Sequence, residues 1–146
     1  MVSRVAWARV VVGHQVTGEI GPGLLTLVGV GRDDGPAEAA WLADKLAGLR
    51  VFEDDHGVPN RDVVEAGGGV LVVSQFTLYG DARRGRRPSY IAAAPPEQAA
   101  PLVEAVAKSL AGSGIPVATG RFGADMRVES AGDGPVTILL DSTREL

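Results

Sequence analysis

Short apolar runs bounded by glycine recur along this chain, and they limit what it can fold into more than any other feature. Each run is rich in Val or Leu and has the length of a strand. The strands predicted in this way cover residues 2–12, 15–20, 24–31, about 70–77, 115–119, 126–131 and 136–142. The intervening breaks GPG (21–23) and GDGP (132–135) are predicted as turns, the first of them a hairpin turn.

The first of two segments with helical periodicity begins at Pro36, a residue suited to the first turn of a helix. Asp33 and Asp34 precede it, and we expect their carboxylates to cap the free N–H groups there. This helix is predicted to run to about Leu49. Its apolar stripe is formed by Leu42, Leu46 and Leu49.

The second helix is predicted over roughly residues 96–111. Because Pro101 lies inside this segment, the helix either starts nearer to residue 101 or has a distorted first turn. Its apolar face is formed by Leu102, Val106 and Leu110. Many short strands with only two helices predict one α+β domain over residues 1–146. Its mainly antiparallel sheet would curl on itself like a barrel, with the helices packed outside.

Composition excludes several classes of function. The chain has no cysteine and only two histidines, so disulfides, thiolate nucleophiles and Cys-ligated zinc are excluded, and we expect no metal or cofactor. A formal charge of -4 argues against indiscriminate coating of nucleic acid, and we expect no DNA partner. No apolar run reaches the roughly 20 residues that cross a bilayer, and no signal cleavage site is present. We therefore expect a cytoplasmic protein that does not enter a membrane.

Four arginines crowd into five positions, within a loop predicted over residues 80–95. They are Arg83, Arg84, Arg86 and Arg87. Such a cluster either binds an anion or is the solvated surface of a loop, and the residues alone leave both interpretations open.

Polar side chains end the strand that begins near Val70. The segment is Ser74, Gln75, Phe76 and Thr77. In an extended chain Gln75 and Thr77 would share one face, so a hydroxyl and an amide could bind one ligand. The alternative is an ordinary strand, in which Thr is a common residue and Gln a cross-strand partner.

A Thr nucleophile needs an adjacent base, and neither His14 nor His56 lies in a recognisable catalytic frame. Without a base, an ester can still be cleaved if main-chain N–H groups stabilise the oxyanion and the substrate carries a neighbouring hydroxyl. Aminoacyl-tRNA is such an ester, because one ribose oxygen holds the amino acid and the other is free. The arginines would then contact tRNA phosphates.

Two glycine-containing segments have two interpretations each. Gly134–Pro135 is either a plain turn or a cis unit whose two carbonyls point side by side into a pocket, where they could bind an α-amino group and exclude one enantiomer. Segment 120–126, GRFGADM, offers either glycines for close approach with Phe122 and Met126 as apolar walls, or simple core packing.

Eight separated motifs, in order along practically the whole chain, make the sequence resemble the D-aminoacyl-tRNA deacylases. They are GEIGPGLL (18–25), GVGRDD (29–34), LRVFED (49–54), VVSQFTLYGD (72–81), GRRPSY (85–90), AAPP (93–96), TGRFGADM (119–126) and DGPVTILLDS (133–142). Eight motifs in order are far more specific than any one of them.

The resemblance implies a homodimer with active sites at the subunit interface. The catalytic Ser74–Thr77 segment of one chain would meet a Gly–cisPro dipeptide of the other, formed here by Gly134 and Pro135. The implied reaction is hydrolysis of the ester between tRNA and a D-amino acid, or glycine mischarged on tRNA-Ala, with L-aminoacyl-tRNA rejected. Main-chain groups and the tRNA 2′-hydroxyl are implied to act, although Thr77 has also been considered a nucleophile. The missing base favours the former.

The chain departs from the family pattern at two places. Gly132 stands where the family usually has Asn two positions before Gly–Pro, so a side-chain hydrogen bond that would brace the dipeptide is absent. The N-terminus is about three residues short, and Arg4 falls where the family has an arginine near the dipeptide, which implies a supporting role. Phe122 and Met126 are assigned supporting roles as well.

Two other functions stay open. The chain could be a non-catalytic RNA-binding module that uses the Arg83–Arg87 loop, in which case RNA binding would survive replacement of Thr77 and Pro135. It could also be a hydrolase of small esters with Thr77 as nucleophile, active without tRNA.

Overall fold

The computed structural model describes all residues, Met1–Leu146. The strands are β1 (Val2–Val12), β2 (Gln15–Ile20), β3 (Gly23–Val28), β4 (Phe52–Glu53), β5 (Pro59–Arg61), β6 (Gly69–Ser74), β7 (Val117–Thr119) and β8 (Arg127–Ile138). The helices are α1 (Pro36–Gly48) and α2 (Pro96–Gly112), and a 3-10 turn covers Phe76–Tyr79. The predicted α+β class is confirmed. Neither helix is long and apolar enough to cross a membrane.

Strand β1 organises the main sheet. One edge pairs antiparallel with β8, and the other pairs antiparallel with β2 and then β3. Ala8 pairs with Ile20 and Val5 pairs with Gly23, so β2 and β3 continue in one register along the same edge. The GPG segment therefore interrupts the row of residues that pairs with this edge of β1. The predicted hairpin turn is wrong, because a hairpin would have paired β2 with β3.

The sheet continues through two parallel pairings, β3 with β6 and β6 with β7, and then curls back towards β2. A Cβ atom on Gly18 of β2 would lie only 2.2 Å from the main-chain oxygen of Thr119 in β7. Since no side chain fits in this space, glycine is required where the two strands approach. The nearly closed, barrel-like sheet depends on this contact.

Strand β8 runs through the GDGP segment, so the predicted turn there is wrong. Between Val5 and Ser3 of β1, the paired position on β8 advances from Gly132 to Thr137. The extra residues form a bulge, which turns them away from the ladder without ending the strand. Gly134 and Pro135 lie in this bulge and are exposed.

Helix α1 begins at the predicted residue but with a different cap. Glu38 Oε2 accepts a hydrogen bond of 2.8 Å from Gly35 N–H. The Asp34 carboxylate instead accepts one of 2.7 Å from Gly31 N–H, in the loop before the helix. The predicted capping by Asp33 and Asp34 is therefore wrong, because the N-cap position is occupied by Gly35 and the Asp34 carboxylate bonds to Gly31 instead.

Helix α2 begins at Pro96 and continues through Pro101, so a start nearer to residue 101 is excluded.

Two apolar cores lie on opposite faces of the sheet. The core between sheet and helices has its fully buried leucines at Leu24, Leu46 and Leu110. The core on the inner face of the curl includes Val5, Val10, Leu71 and Val73. Each such side chain contributes about 1.5–3 kcal/mol by burial.

Candidate active site

The polar segment after β6 forms a turn instead of an extended strand. Gly80 N–H donates to the Thr77 carbonyl over 2.9 Å, and Leu78 N–H to the Gln75 carbonyl over 3.2 Å. The predicted alternation of faces beyond Ser74 is therefore wrong. The expected meeting of amide and hydroxyl occurs nevertheless, because Gln75 Nε2 donates a hydrogen bond to Thr77 Oγ1.

Two main-chain donors at this turn are free. Gln75 N–H still donates to the Val28 carbonyl over 2.8 Å, as a continuation of the sheet. The next two N–H groups, of Phe76 and Thr77, have no acceptor within the protein. Adjacent, unpaired N–H groups held by a rigid turn are suited to stabilise an oxyanion.

A cavity of about 560 Å³ opens beside the turn. Ser74, Gln75 and Phe76 line it on one side, and Phe122 and Met126 line it from the segment between β7 and β8. This volume lies within the roughly 300–1,000 Å³ of small-molecule sites, and most of the lining is apolar. The structure thus brings five of the predicted site residues around one space.

The segment GRFGADM serves both of its alternative roles. Met126 packs against the inner core as well as facing the cavity, and its sulfur would lie 2.7 Å from a Cβ on Gly120. Phe122 is 40% exposed and belongs to neither core, so its ring is a wall of the cavity. Phe76 and Tyr90 also line the cavity, and their rings pack edge to face with centroids 5.3 Å apart.

Gly134 and Pro135 are joined by a cis peptide bond, and they are not among the residues that line the cavity of their own chain. Arg4 lies beside them. Its Nε donates to the Asp133 carbonyl over 3.2 Å, and its Nη1 donates to the Val51 carbonyl over 2.6 Å. Arg4 thus holds the residue immediately before the dipeptide.

Gly132 stands where the family usually has Asn, and the structure shows how much room a side chain would have there. A Cβ atom there would meet nothing within 4 Å, so the backbone leaves room for a larger residue. No packing reason requires glycine at this position. The hydrogen bond from Arg4, on the neighbouring strand, is made to the main-chain oxygen of the next residue, Asp133.

The arginine loop is closed by reciprocal main-chain hydrogen bonds between Asp81 and Ser89, of 2.8 and 2.9 Å. Arg83 folds back onto Asp81 with two side-chain hydrogen bonds, of 2.9 and 2.6 Å. These bonds lower the pKa of the Asp81 carboxyl to about 2. The other three arginines of the loop are exposed and have no acidic partner within the chain. They are Arg84, Arg86 and Arg87.

Tyr79, at the end of the turn, has a neighbourhood that the sequence does not reveal. Burial, followed by the charges of Asp34 and Asp141 and a hydrogen bond with Asp34, raises the pKa of its phenol above the ordinary value. A separate small cavity of about 70 Å³ lies here, behind the turn. Tyr79 thus packs behind the turn, next to Gly31 and Asp34 in the loop before α1.

Known proteins similar to this chain support the resemblance. The family described as D-Tyr-tRNA(Tyr) deacylase matches residues 1–141. A D-aminoacyl-tRNA deacylase of Symbiobacterium thermophilum is 58% identical over 144 residues, which cover 99% of this chain and 95% of the relative. A protein of the same name from Anaeromyxobacter dehalogenans is 60% identical over 144 residues, with 99% and 97% covered.

Two solved structures are similar as well. The c-Myc DNA Unwinding Element Binding Protein superposes with a TM-score of 0.91 and 37% identity, covering 97% of this chain and 96% of that one. A probable eukaryotic D-amino acid tRNA deacylase superposes with a TM-score of 0.77 at 15% identity, which shows the fold alone, over 92% and 93% of the two chains. Fold and site together define a barrel-like α+β protein with a cavity of ligand size beside a main-chain donor pair. With the family match and the identities near 60%, the chain belongs to the D-aminoacyl-tRNA deacylase family.

Proposed function

We propose that this protein hydrolyses the ester bond of D-aminoacyl-tRNA, releases the D-amino acid and tRNA, and leaves L-aminoacyl-tRNA intact. It is a hydrolase of carboxylic esters that serves chiral proofreading in translation. The observation that carries the chemistry is the pair of free N–H groups at Phe76 and Thr77, next to a cavity of ligand size. Glycyl-tRNA mischarged on tRNA-Ala fits the same proposal, because glycine has no side chain to exclude.

The reaction needs no protein nucleophile. Water attacks the ester carbonyl carbon, the bond to the ribose oxygen breaks, and that oxygen takes up a proton while the other ribose hydroxyl lies beside the reacting centre. The N–H groups of Phe76 and Thr77 stabilise the negative charge on the carbonyl oxygen. Thr77 lies outside the lining of the cavity, and its Oγ1 accepts a hydrogen bond from Gln75 Nε2 and makes none to a carboxylate or imidazole, which argues against a role as nucleophile.

Chiral selection is proposed to come from a second copy of the chain. Gly134 and Pro135 are exposed and outside the cavity of their own chain, as expected if they serve the cavity of a partner in a homodimer. Arg4 would hold the dipeptide in place. Co-expression of a Pro135→Ala copy with a Phe122→Arg copy tests this, because each mixed dimer keeps one intact site. Mixed dimers without restored activity would exclude sites shared between subunits.

The tRNA itself is proposed to contact the arginine loop, with Arg84, Arg86 and Arg87 available for phosphates and Arg83 engaged by Asp81. We place the protein, as one domain over residues 1–146, in the cytoplasm, where aminoacyl-tRNA is used. We propose no cofactor, since the chemistry above needs none.

A non-catalytic nucleic-acid-binding protein is the second candidate. The same free arginines favour it, and one structural relative is named for binding a DNA element. The cavity and donor pair have no use in that function, and we therefore propose no DNA partner. Binding of tRNA that survives Thr77→Ala and Pro135→Ala, with no deacylation by the unaltered protein, would favour this candidate.

The deciding experiment incubates the purified protein with D-tyrosyl-tRNA and L-tyrosyl-tRNA in parallel. We expect rapid release of D-tyrosine only. Equal rates on both substrates, or none on either, would overturn the proposal. D-tyrosine methyl ester is the control for a small-ester hydrolase, which would cleave it without tRNA and lose all activity in Thr77→Ala.

A further inference from the structure

A second opening adjoins the cavity. It is a groove of about 490 Å³ between α2 and the edge formed by β6 and β7. Ser74 and Phe122 line both the groove and the cavity, so the two spaces meet at the Phe122 ring. A ligand seated in the cavity can therefore extend past this ring into the groove.

The groove has an apolar floor and a rim that carries two cations and one carboxylate. Its floor includes Val103 and Ala107 of α2 and Val117 of β7. At the rim, Arg121 is exposed and has no acidic partner within the chain. Lys108 and Glu104 also line the groove, and the Lys108 ammonium lies 3.1 Å from the Glu104 carboxylate on the preceding turn of α2, so Arg121 is the unpaired cation of the rim.

We infer that this groove binds the penultimate nucleotide of the tRNA acceptor end, with Phe122 as the platform between that nucleotide and the terminal adenosine and with Arg121 on the intervening phosphate. The inference rests on the proposed function and extends it from the terminal adenosine to the next nucleotide. Sites for single-stranded nucleic acid combine a positive groove with aromatic rings on which bases stack. The groove offers one unpaired arginine, Arg121, and one aromatic ring, Phe122, which also lines the proposed ester site.

Three substrates of increasing length separate the groove from the cavity: 3′-O-D-tyrosyl-adenosine, the D-tyrosyl ester of the dinucleotide CpA, and D-tyrosyl-tRNA. We expect kcat/KM to rise on the order of tenfold from the adenosine ester to the CpA ester, since a charge-assisted phosphate contact is added. Arg121→Ala should remove that gain on the CpA ester and tRNA. It should leave the adenosine ester unchanged.

Matched variants make the test specific. Arg50→Ala removes another exposed arginine, which lines neither the cavity nor the groove, and should change none of the three rates. Ala111→Trp should fill the groove and act like Arg121→Ala, with Ala111→Ser as its control. Glu104→Gln frees Lys108 and should raise kcat/KM for the CpA ester at low salt, and Lys108→Ala should remove this increase.

The failures are distinguishable. Equal loss on all three substrates in Arg121→Ala, or loss on none, overturns the groove assignment while the deacylase function stands. If the unaltered protein hydrolyses no D-aminoacyl ester, the proposed function fails. The groove is then tested by binding of fluorescently labelled CpA alone, which must weaken in Arg121→Ala and Ala111→Trp but not in Arg50→Ala. Equal CpA binding by the unaltered protein and the three variants overturns the groove assignment.

Discussion

Arg4 and Asp133 contact each other twice, through a hydrogen bond of 3.2 Å to the main-chain oxygen and an ion pair of 3.3 Å to the carboxylate. The Arg4 side chain is 10% exposed and that of Asp133 is 58% exposed. Arg4 also donates to the Val51 carbonyl. The buried guanidinium thus joins β1, the segment before β4 and the residue next to Gly134.

Replacing Arg4 should cost both stability and selectivity. Arg4→Ala leaves two main-chain carbonyls without their donor, which we expect to lower the free energy of unfolding by about 1–3 kcal/mol. The ratio of D- to L-tyrosyl-tRNA hydrolysis should fall as well, because the Gly134–Pro135 segment loses its support. Urea unfolding and the two deacylation rates measure these effects.

Asp133→Ala is the matched control for Arg4→Ala. It removes only the exposed carboxylate and keeps the main-chain oxygen, so its effect on stability should stay below about 1 kcal/mol. Equal losses in the two variants would show that the ion pair, and not the main-chain hydrogen bond, holds the segment.

Thr77→Ala should retain activity. A residue whose hydroxyl only accepts a hydrogen bond from Gln75 contributes on the order of tenfold or less to kcat. Loss of a nucleophile would lower kcat by about 10³-fold or more. Single-turnover deacylation of D-tyrosyl-tRNA distinguishes the two, with Thr77→Ser as the control that keeps the hydroxyl. A drop of the larger size would make Thr77 the nucleophile.

The salt dependence of tRNA binding should report the arginine loop. Replacing both Arg84 and Arg87 with Ala should reduce the slope of log K against log salt by roughly one for each lost phosphate contact. Filter binding between low and moderate salt gives this slope. An unchanged slope would place the tRNA elsewhere on the surface.

Asp81→Asn should act in the opposite direction, because it releases Arg83 towards solvent. The folded-state pKa of Asp81, about 2, lies below its ordinary 3.8. The ion pair therefore stabilises the loop above the ordinary pKa and is lost only as the pH falls towards 2. The ion pair is therefore intact at both pH 5 and pH 8, and it should not make the salt slope of tRNA binding differ between these two pH values. In Asp81→Asn the salt slope should be steeper than in the unaltered protein at both pH values.

Tyr79 should ionise late in an alkaline titration. Burial and the nearby Asp34 and Asp141 raise its pKa, so the folded chain holds the phenolic proton where the unfolded chain has lost it. The corresponding stability is present below the ordinary pKa of 10.0 and is lost as the pH rises through the folded value. Phenolate absorbance in a Tyr90→Phe background isolates this group. Asp141→Asn should lower its pKa, and a midpoint at the ordinary value would contradict the assignment.

The regular elements were predictable because their signals are local. The bounds of β1, β2 and both helices follow from apolar periodicity, glycine and Pro36, and they agree with the structure to within a few residues. The turns predicted at GPG and GDGP were wrong because a Gly–Pro pair is equally compatible with a turn, a strand break and a bulge. Which of these forms is decided by pairing with β1, a partner distant in sequence.

Part of the cavity lining was predictable from the sequence, and its backbone form was less so. Ser74, Gln75 and Phe76 do line one cavity with Phe122 and Met126, and their individual catalytic and binding roles stay predictions. The 3-10 turn was missed because a run of strand-forming residues precedes it. The short β4–β5 ribbon is not among the predicted strands. Free main-chain N–H groups carry no sequence signal at all, since every residue except proline has one.

A donor pair made of peptide groups has a consequence for mutational scanning. Exchanging the side chains of Phe76 or Thr77 leaves the amide hydrogens where they are, so a saturation library should show shallow losses at the polar positions of the pocket. Deep intolerance should instead fall on residues that shape the chain path, such as Gly18 at the strand approach. A saturation library of this enzyme would therefore identify the residues that maintain the fold more clearly than the residues that take part in the reaction.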